Sequence, residues 1–234
     1  MSFAAVDLYG TLAEGGFWRS YKFLLSHGLT ASAHEFRTST ETAMGGELTR
    51  SPFAHEDDLA SWRREGMRLV MTRHGLAKEA SSALAVRALE IMDELRPRPG
   101  AAEFLRGLRE RVERVIICTN ADWGARRRFY DSILADYVSG FVSSAECGVR
   151  KPNEAIYEEV VRAASAPAGD CTFLGDDLVG DVFAPLVFGM RAIWLGGELD
   201  GLRTTASGAV FYSTRSFRSA LRHIDERGCE DLCS

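Results

Sequence analysis

Asp7 ends the short apolar run Phe3-Ala4-Ala5-Val6 and is followed by Leu8-Tyr9-Gly10-Thr11-Leu12. A carboxylate at the end of a buried strand can attack a bound electrophile, or it can simply cap the next turn. Two other polar groups follow apolar runs in the same way: Thr119-Asn120 after Val115–Cys118, and Gly175-Asp176-Asp177-Leu178-Val179-Gly180-Asp181 after Cys171–Leu174. Between them stands Arg150-Lys151-Pro152, just ahead of a helical pattern. A lysine there is either a solvated surface charge or a compact point charge facing an anion. Asp176, Asp177 and Asp181 also have a bland reading, as acids favoured at the positive end of a helix dipole.

For these groups to act together, the chain must bring distant positions to one place. The short apolar runs, with β-branched residues and bounded by Gly and Asp, read as fully buried strands of a parallel sheet. Helical spacing over Ala101–Arg111, Asn153–Ala164 and Asp181–Phe188 alternates with them, the pattern of a doubly wound, Rossmann-like α/β core. Ligands of such sheets bind beyond the carboxyl ends of the strands, where all three polar groups fall. Ala192–Leu195 and Ala209–Tyr212 read as a further strand and an edge strand, Phe217–Ile224 as a closing helix, and Asp225–Ser234 as a frayed tail. Over residues 13–96 no buried-strand run occurs. Helical period marks Phe17–Leu25, Ala33–Met44, Leu59–Met71 and Lys78–Leu95, with Gly28, Gly45-Gly46 and Gly75 as breaks. The expected organisation is an α/β core of residues 1–12 and 97–234 interrupted by a helical domain of residues 13–96.

Composition narrows the function. With 28 Lys+Arg against 33 Asp+Glu in 234 residues, the net charge of -5 leaves no basic field for wrapping nucleic acid. No apolar stretch approaches the roughly 18 to 20 residues of a spanning helix, and the start has no basic region of a signal peptide, so no membrane partner is expected. The five cysteines are odd in number and lack C-x-x-C pairing, which fits a reduced, cytoplasmic setting. The expected partner is a small-molecule substrate, taken up by a monomer or homodimer.

In their order along the chain, Asp7-Leu8-Tyr9-Gly10-Thr11, Thr119-Asn120, Arg150-Lys151-Pro152 and Gly175 to Asp181 resemble the motifs of the haloacid dehalogenase-like hydrolase superfamily. The helical insertion after the first motif is similar to the small helical cap of its subfamily I. The resemblance implies that Asp7 is the nucleophile and forms a covalent aspartyl intermediate. It implies that Thr119 and Asn120 hydrogen-bond the substrate's charged oxygens, that Lys151 neutralises Asp7 and the developing charge, and that Tyr9 and Thr11 lie beside the substrate. Substrate choice would fall to the cap, where Arg19, Tyr21, Lys22, Arg37, Arg50, Arg73 and His74 are candidates. Each of these is more often a solvated helix face than a ligand.

One position departs from the phosphatase pattern. Phosphatases of the superfamily carry a second aspartate two residues after the nucleophile as their general acid, and this chain has Tyr9. A phenol with an ordinary pKa of about 10 replaces that acid poorly. Tyrosine there is similar to the 2-haloacid dehalogenases, whose halide leaves as a stable anion and needs no proton. The last motif points the other way, because Asp176, Asp177 and Asp181 resemble the acids of magnesium-dependent members. Four carboxylates against Lys151 would repel a haloacid's own carboxylate by on the order of several kcal/mol at about 4 Å. A divalent cation among oxygen ligands relieves this and accepts a phosphate. The ligands implied are Asp7, the Tyr9 backbone carbonyl and Asp176, with Asp177 and Asp181 holding metal-bound water or orienting Lys151. The expectation is therefore a Mg²⁺-dependent phosphatase of a small phosphomonoester. The alternatives are a metal-free 2-haloacid dehalogenase, or a binding protein that keeps the fold with weak turnover.

Overall fold

The computed structural model describes residues 2–44, 56–76, 81–121 and 124–230. Gly45-Gly46, Arg50, Lys78 and Cys233 lie outside these residues. The chain divides into two compact units, one made of Met1–Glu14 and Pro97–Ser234 and the other of Gly15–Arg96.

The second unit is helical among the described residues, with α1 (Phe17–Ser26), α2 (Ala33–Met44), α3 (Glu56–Arg73) and α4 (Ser81–Asp93). Apolar residues at three- and four-residue spacing put Leu24, Phe36, Met67, Val70, Met71 and Leu89 into one core. Helix α3 starts at Glu56, earlier than the apolar period that begins at Leu59. Four of the polar candidates of this unit are engaged within it. Arg19 donates to the Glu94 carboxylate at 3.2 Å, Tyr21 Oη to the Ala31 carbonyl at 2.9 Å, and His74 Nε2 lies 2.9 Å from Ser39 Oγ. The Arg37 guanidinium covers the Trp18 ring at 4.9 Å.

In the first unit, seven strands form one sheet: β1 (Phe3–Val6), β2 (Arg114–Thr119), β3 (Gly140–Ser143), β4 (Cys171–Gly175), β5 (Arg191–Trp194), β6 (Gly201–Thr204) and β7 (Val210–Ser213). Their order is β3-β2-β1-β4-β5-β7-β6, and every neighbouring pair is parallel except β6 with β7. The sheet is thus mostly parallel and doubly wound, as expected. Val6 pairs with Ile117 on one side and Leu174 on the other. One residue further on, Asp7, Cys118 and Gly175 stand at the same level at the carboxyl ends of the three central strands. The chain runs outward from β1 to β2 and β3, then returns to place β4 on the other flank, so the winding reverses between β1 and β4, where such sheets open a crevice.

The helices of this unit are α5 (Ala101–Arg109), α6 (Ala125–Tyr130), α7 (Ser144–Cys147), α8 (Glu154–Ala164), α9 (Ala184–Val187) and α10 (Phe217–Glu230). Helix α8 buries Ile156, Tyr157, Val160 and Ala164 against Phe3, Ile116, Val142 and Phe173. Three expectations need correction. Strands β3 and β6 were not anticipated: the run in β3 is short and starts at a glycine, and β6 is half-exposed and polar. The helix expected over Asp181–Phe188 is a π-helical turn over Leu178–Phe183 that leads into the short α9. The frayed tail is helical to Glu230, held in part by the bidentate pair of Arg111 with Asp225 at 2.7 and 2.8 Å. No helix among the described residues is long and apolar enough to cross a membrane.

Helix α5 rests its fully buried Phe104 on Phe217 of α10, with ring centroids 4.5 Å apart and planes within 13°. Phe104→Ala is expected to destabilise the protein by about 3 to 5 kcal/mol. The shift of the urea-unfolding midpoint measures it.

Candidate active site

Lys151 and Asp7 are both buried, at 7% and 5% exposure, and they meet beneath the strand ends. The ammonium donates to Asp7 Oδ1 at 2.7 Å, to Asp181 Oδ1 at 2.6 Å and to the Cys118 carbonyl at 3.1 Å. These three acceptors use all three of its donors. Local structure puts the lysine there. Asn153 caps α8 by accepting from Ala155 N at 3.0 Å, which fixes the turn that presents Lys151. Asn120 then grips the lysine's backbone from β2's end: its Oδ1 accepts from Lys151 N at 2.8 Å, and its Nδ2 donates to the Lys151 carbonyl at 3.0 Å. Asn120 thus positions the lysine's backbone through one donor and one acceptor of its amide. Thr119 is buried at the carboxyl end of β2.

The acids arrive by backbone that tolerates no side chain. Gly10 has φ +97°, and a β-carbon there would lie 2.4 Å from Asp176 Oδ2. At Gly175 a β-carbon would lie 2.2 Å from Asp181 Oδ2. Glycine at these two positions lets the loops close on the carboxylates. Thr11 Oγ1 donates to Asp176 Oδ1 at 3.0 Å, Trp194 Nε1 donates to the Asp176 carbonyl at 2.9 Å, and Arg98 donates to the Gly10 carbonyl.

Carboxylate oxygens of Asp7, Asp176 and Asp181 all lie within 4.8 Å of one another. Such a set of hard oxygen donors fits Mg²⁺ or a similar cation. Asp177 stands apart from this trio because its Oδ1 accepts from Val179 N at 3.0 Å and caps the π-helical turn. Asp181 accepts from Lys151 through Oδ1 and from Asp177 N through Oδ2 at 3.0 Å. Its contacts are those of a residue orienting the lysine. The Tyr9 hydroxyl accepts from Arg128 Nη2 at 3.4 Å. Sequence reasoning passed over both Arg128 and Tyr157. Arg128 sits on a short helix without clear period, and Tyr157 occupies an apolar position of α8 that reads as core, although its hydroxyl donates to the Gly180 carbonyl at 2.6 Å.

Three carboxylates and one ammonium carry a formal charge of -2. Burial raises the Asp7 carboxyl against the pull of Lys151. Burial first, and then repulsion from Asp7, push Asp181 up to about 7 despite its bond to the lysine. Burial alone would lower the lysine, but Asp7 and Asp181 outweigh it and hold Lys151 above the ordinary lysine range. One ammonium cannot fully compensate two buried carboxylates, so the pair retains a proton until near neutrality. Burial likewise lifts the Cys118 thiol to about 12, which leaves it unreactive.

A family model described as haloacid dehalogenase-like hydrolase matches residues 1–189. A glyceraldehyde 3-phosphate phosphatase of Pyrococcus abyssi is 30% identical over 104 residues, or 43% of this chain and 42% of that protein, so the match spans less than half of the relative. A solved 2-haloacid dehalogenase from Pseudomonas syringae pv. Tomato DC3000 has a TM-score of 0.64 at 19% identity, covering 97% of this chain and 99% of that one. A phosphatase structure from Thermococcus onnurineus has a TM-score of 0.62 at 20% identity, covering 96% and 98%. At these identities the structural likeness is one of fold.

The raised Asp181 carboxyl has a consequence for stability. A carboxyl with a folded pKa above its unfolded value of 3.8 contributes most below that value, and the contribution is lost as pH rises through about 7. In the presence of chelator, the stability of the protein relative to Asp181→Asn is expected to fall between about pH 4 and pH 7. Urea unfolding of both proteins across that range checks the sign.

Proposed function

The chain belongs to the haloacid dehalogenase-like hydrolases, and from that premise we propose that it is a Mg²⁺-dependent phosphatase of a small phosphomonoester. The observation that carries the reading is the trio Asp7, Asp176 and Asp181, one carboxylate oxygen of each lying within 4.8 Å of the others, with the buried Lys151 bonded to Asp7 and Asp181. A haloacid would bring its own carboxylate into this negative field, whereas a divalent cation makes the field neutral and receptive to a phosphate. The phosphatase name of the Pyrococcus abyssi relative supports the same choice.

In this reading Asp7 attacks phosphorus in line, forming an aspartyl phosphate that water then cleaves. Lys151 holds Asp7 Oδ1 at 2.7 Å, which leaves the other carboxylate oxygen to act as nucleophile and offers positive charge to the phosphoryl oxygens. Asp181 and Asn120 hold the lysine in place, and Thr11 holds Asp176. Asp7, Asp176 and the Tyr9 carbonyl would hold Mg²⁺, which when bound supplies charge neutralisation to the transferring group. Thr119 lies at the strand end as a hydroxyl for the substrate's oxygens. The helical unit of residues 15–96 acts as the cap that selects the substrate, and a cytoplasmic setting belongs to the same proposal.

Tyr9 favours a second reading, a metal-free 2-haloacid dehalogenase in which Asp7 displaces halide from carbon. Phosphate and halide release, each measured with Mg²⁺ and with chelator, separates the two. The expected result is phosphate release that the chelator abolishes and Mg²⁺ restores, with Asp7→Asn reduced to background. Halide release from a 2-haloacid that is indifferent to chelator reverses the order of the two readings.

A further inference from the structure

The three carboxylates of the trio are held in different ways. Asp7 and Asp181 are buried and bonded to Lys151, whose third donor goes to the Cys118 carbonyl, so the lysine has nothing left for Asp176. Asp176 is also exposed. Neither burial nor the ammonium fixes it, and its place depends on hydrogen bonds from two other segments. Thr11 Oγ1 donates to its carboxylate at 3.0 Å, and the indole Nε1 of Trp194 donates to its backbone carbonyl at 2.9 Å.

The indole is itself anchored. Trp194 ends β5 in register with Gly175 at the end of β4, its carbonyl accepts from Thr214 N at 2.9 Å, and Leu195 N donates to the Gly175 carbonyl at 2.7 Å. Its side chain packs against the cluster of Val182, Ala192 and Phe211. The chain that follows leaves room for the contact. A β-carbon on Gly196 would lie 2.7 Å from Trp194 Nε1 and 3.2 Å from the Asp176 carbonyl oxygen, so it would drive the indole off the carbonyl. Trp194 is half-buried, and an indole so placed can spend its single N–H on water. Here the donor goes to the main chain of the trio's acid that the lysine does not hold.

We propose that Trp194 is a positioning residue for the cation: by fixing the main chain at Asp176 it keeps the third carboxylate turned toward Asp7 and Asp181, and so sets the affinity of the site for Mg²⁺. The proposal rests on the Mg²⁺-dependent reading. A carboxylate left free to swing must be ordered when the ion binds, and that ordering is subtracted from the affinity. With the main chain held from β5 and the carboxylate steadied by Thr11, the ordering is done by the fold. Trp194 acts through Asp176 and not on the phosphoryl group. Partners of this kind, one bond removed from a metal ligand, typically change metal affinity by about 10- to 100-fold when they are lost.

The test is calorimetric titration of Mg²⁺ into metal-free wild type, Trp194→Phe, Gly196→Ala and the double variant, with urea unfolding of each in chelator as the separate measure of folding. Trp194→Phe keeps an aromatic ring and loses the donor, and Gly196→Ala keeps the donor and displaces it. Each is expected to raise the Kd for Mg²⁺ by about 10- to 100-fold, and the double variant should bind no more weakly than the poorer single one, because both remove the same contact. A tryptophan that serves folding alone would lower the urea midpoint and leave the Kd where it is. An unchanged Kd in either single variant, or losses that multiply in the double variant, overturns the proposal and leaves the Mg²⁺-dependent reading standing. If wild type takes up no Mg²⁺, both fall together.

Discussion

One buried ammonium, Lys151, stands between two buried carboxylates, Asp7 and Asp181, and most of the surrounding structure answers to that arrangement. Taking three charges out of water is costly, and removing one partner of such a group typically costs about 3 to 5 kcal/mol because the others stay buried without compensation. The protein meets the cost with placement. A strand-end carbonyl takes the third lysine donor, an asparagine grips the lysine's backbone from both sides, and a backbone amide braces the far oxygen of Asp181. The compensation is incomplete, and burial holds the Asp7 and Asp181 carboxyls above the ordinary aspartate range. This imbalance is what gives the site its chemical character, since an electrophile or a cation entering it relieves a charge that the fold leaves unsettled.

The sheet explains why these charges meet. Val6, Ile117 and Leu174 share one register, so the next residues emerge side by side where the winding of the chain reverses. Family members that cleave carbon–halogen bonds and others that cleave phosphate esters share the same architecture, so the fold alone does not choose the reaction. The choice lies in the loops. Here the acids after β4 and the tyrosine after β1 pull in different directions.

Much of this was legible in the sequence because it rests on local pattern. Short apolar runs ending in Asp7, Thr119 and Gly175 announced the three central strands and the end at which their polar residues gather. What escaped depends on partners remote in the chain. Asn120 read as a substrate ligand, and only the approach of Lys151 from the loop before α8 shows that its amide also grips the lysine's backbone. Asp176, Asp177 and Asp181 are equivalent as residue types. They part company because a π-helical turn gives Asp177 an amide to cap and rotates Asp181 onto the lysine. Strand β6 lies at an edge and is half-exposed, so it lacks the buried run by which its neighbours were recognised.

Gly10 and Gly175 leave no room for a β-carbon against the carboxylates they face. The floor of the site is thus closed to ordinary variation, since any larger residue at either point must displace an acid. Neighbouring positions that already carry side chains, Tyr9 among them, are under no such constraint from the main chain. A lineage built on this scaffold would therefore keep the backbone path under its acids while the side chains around it varied.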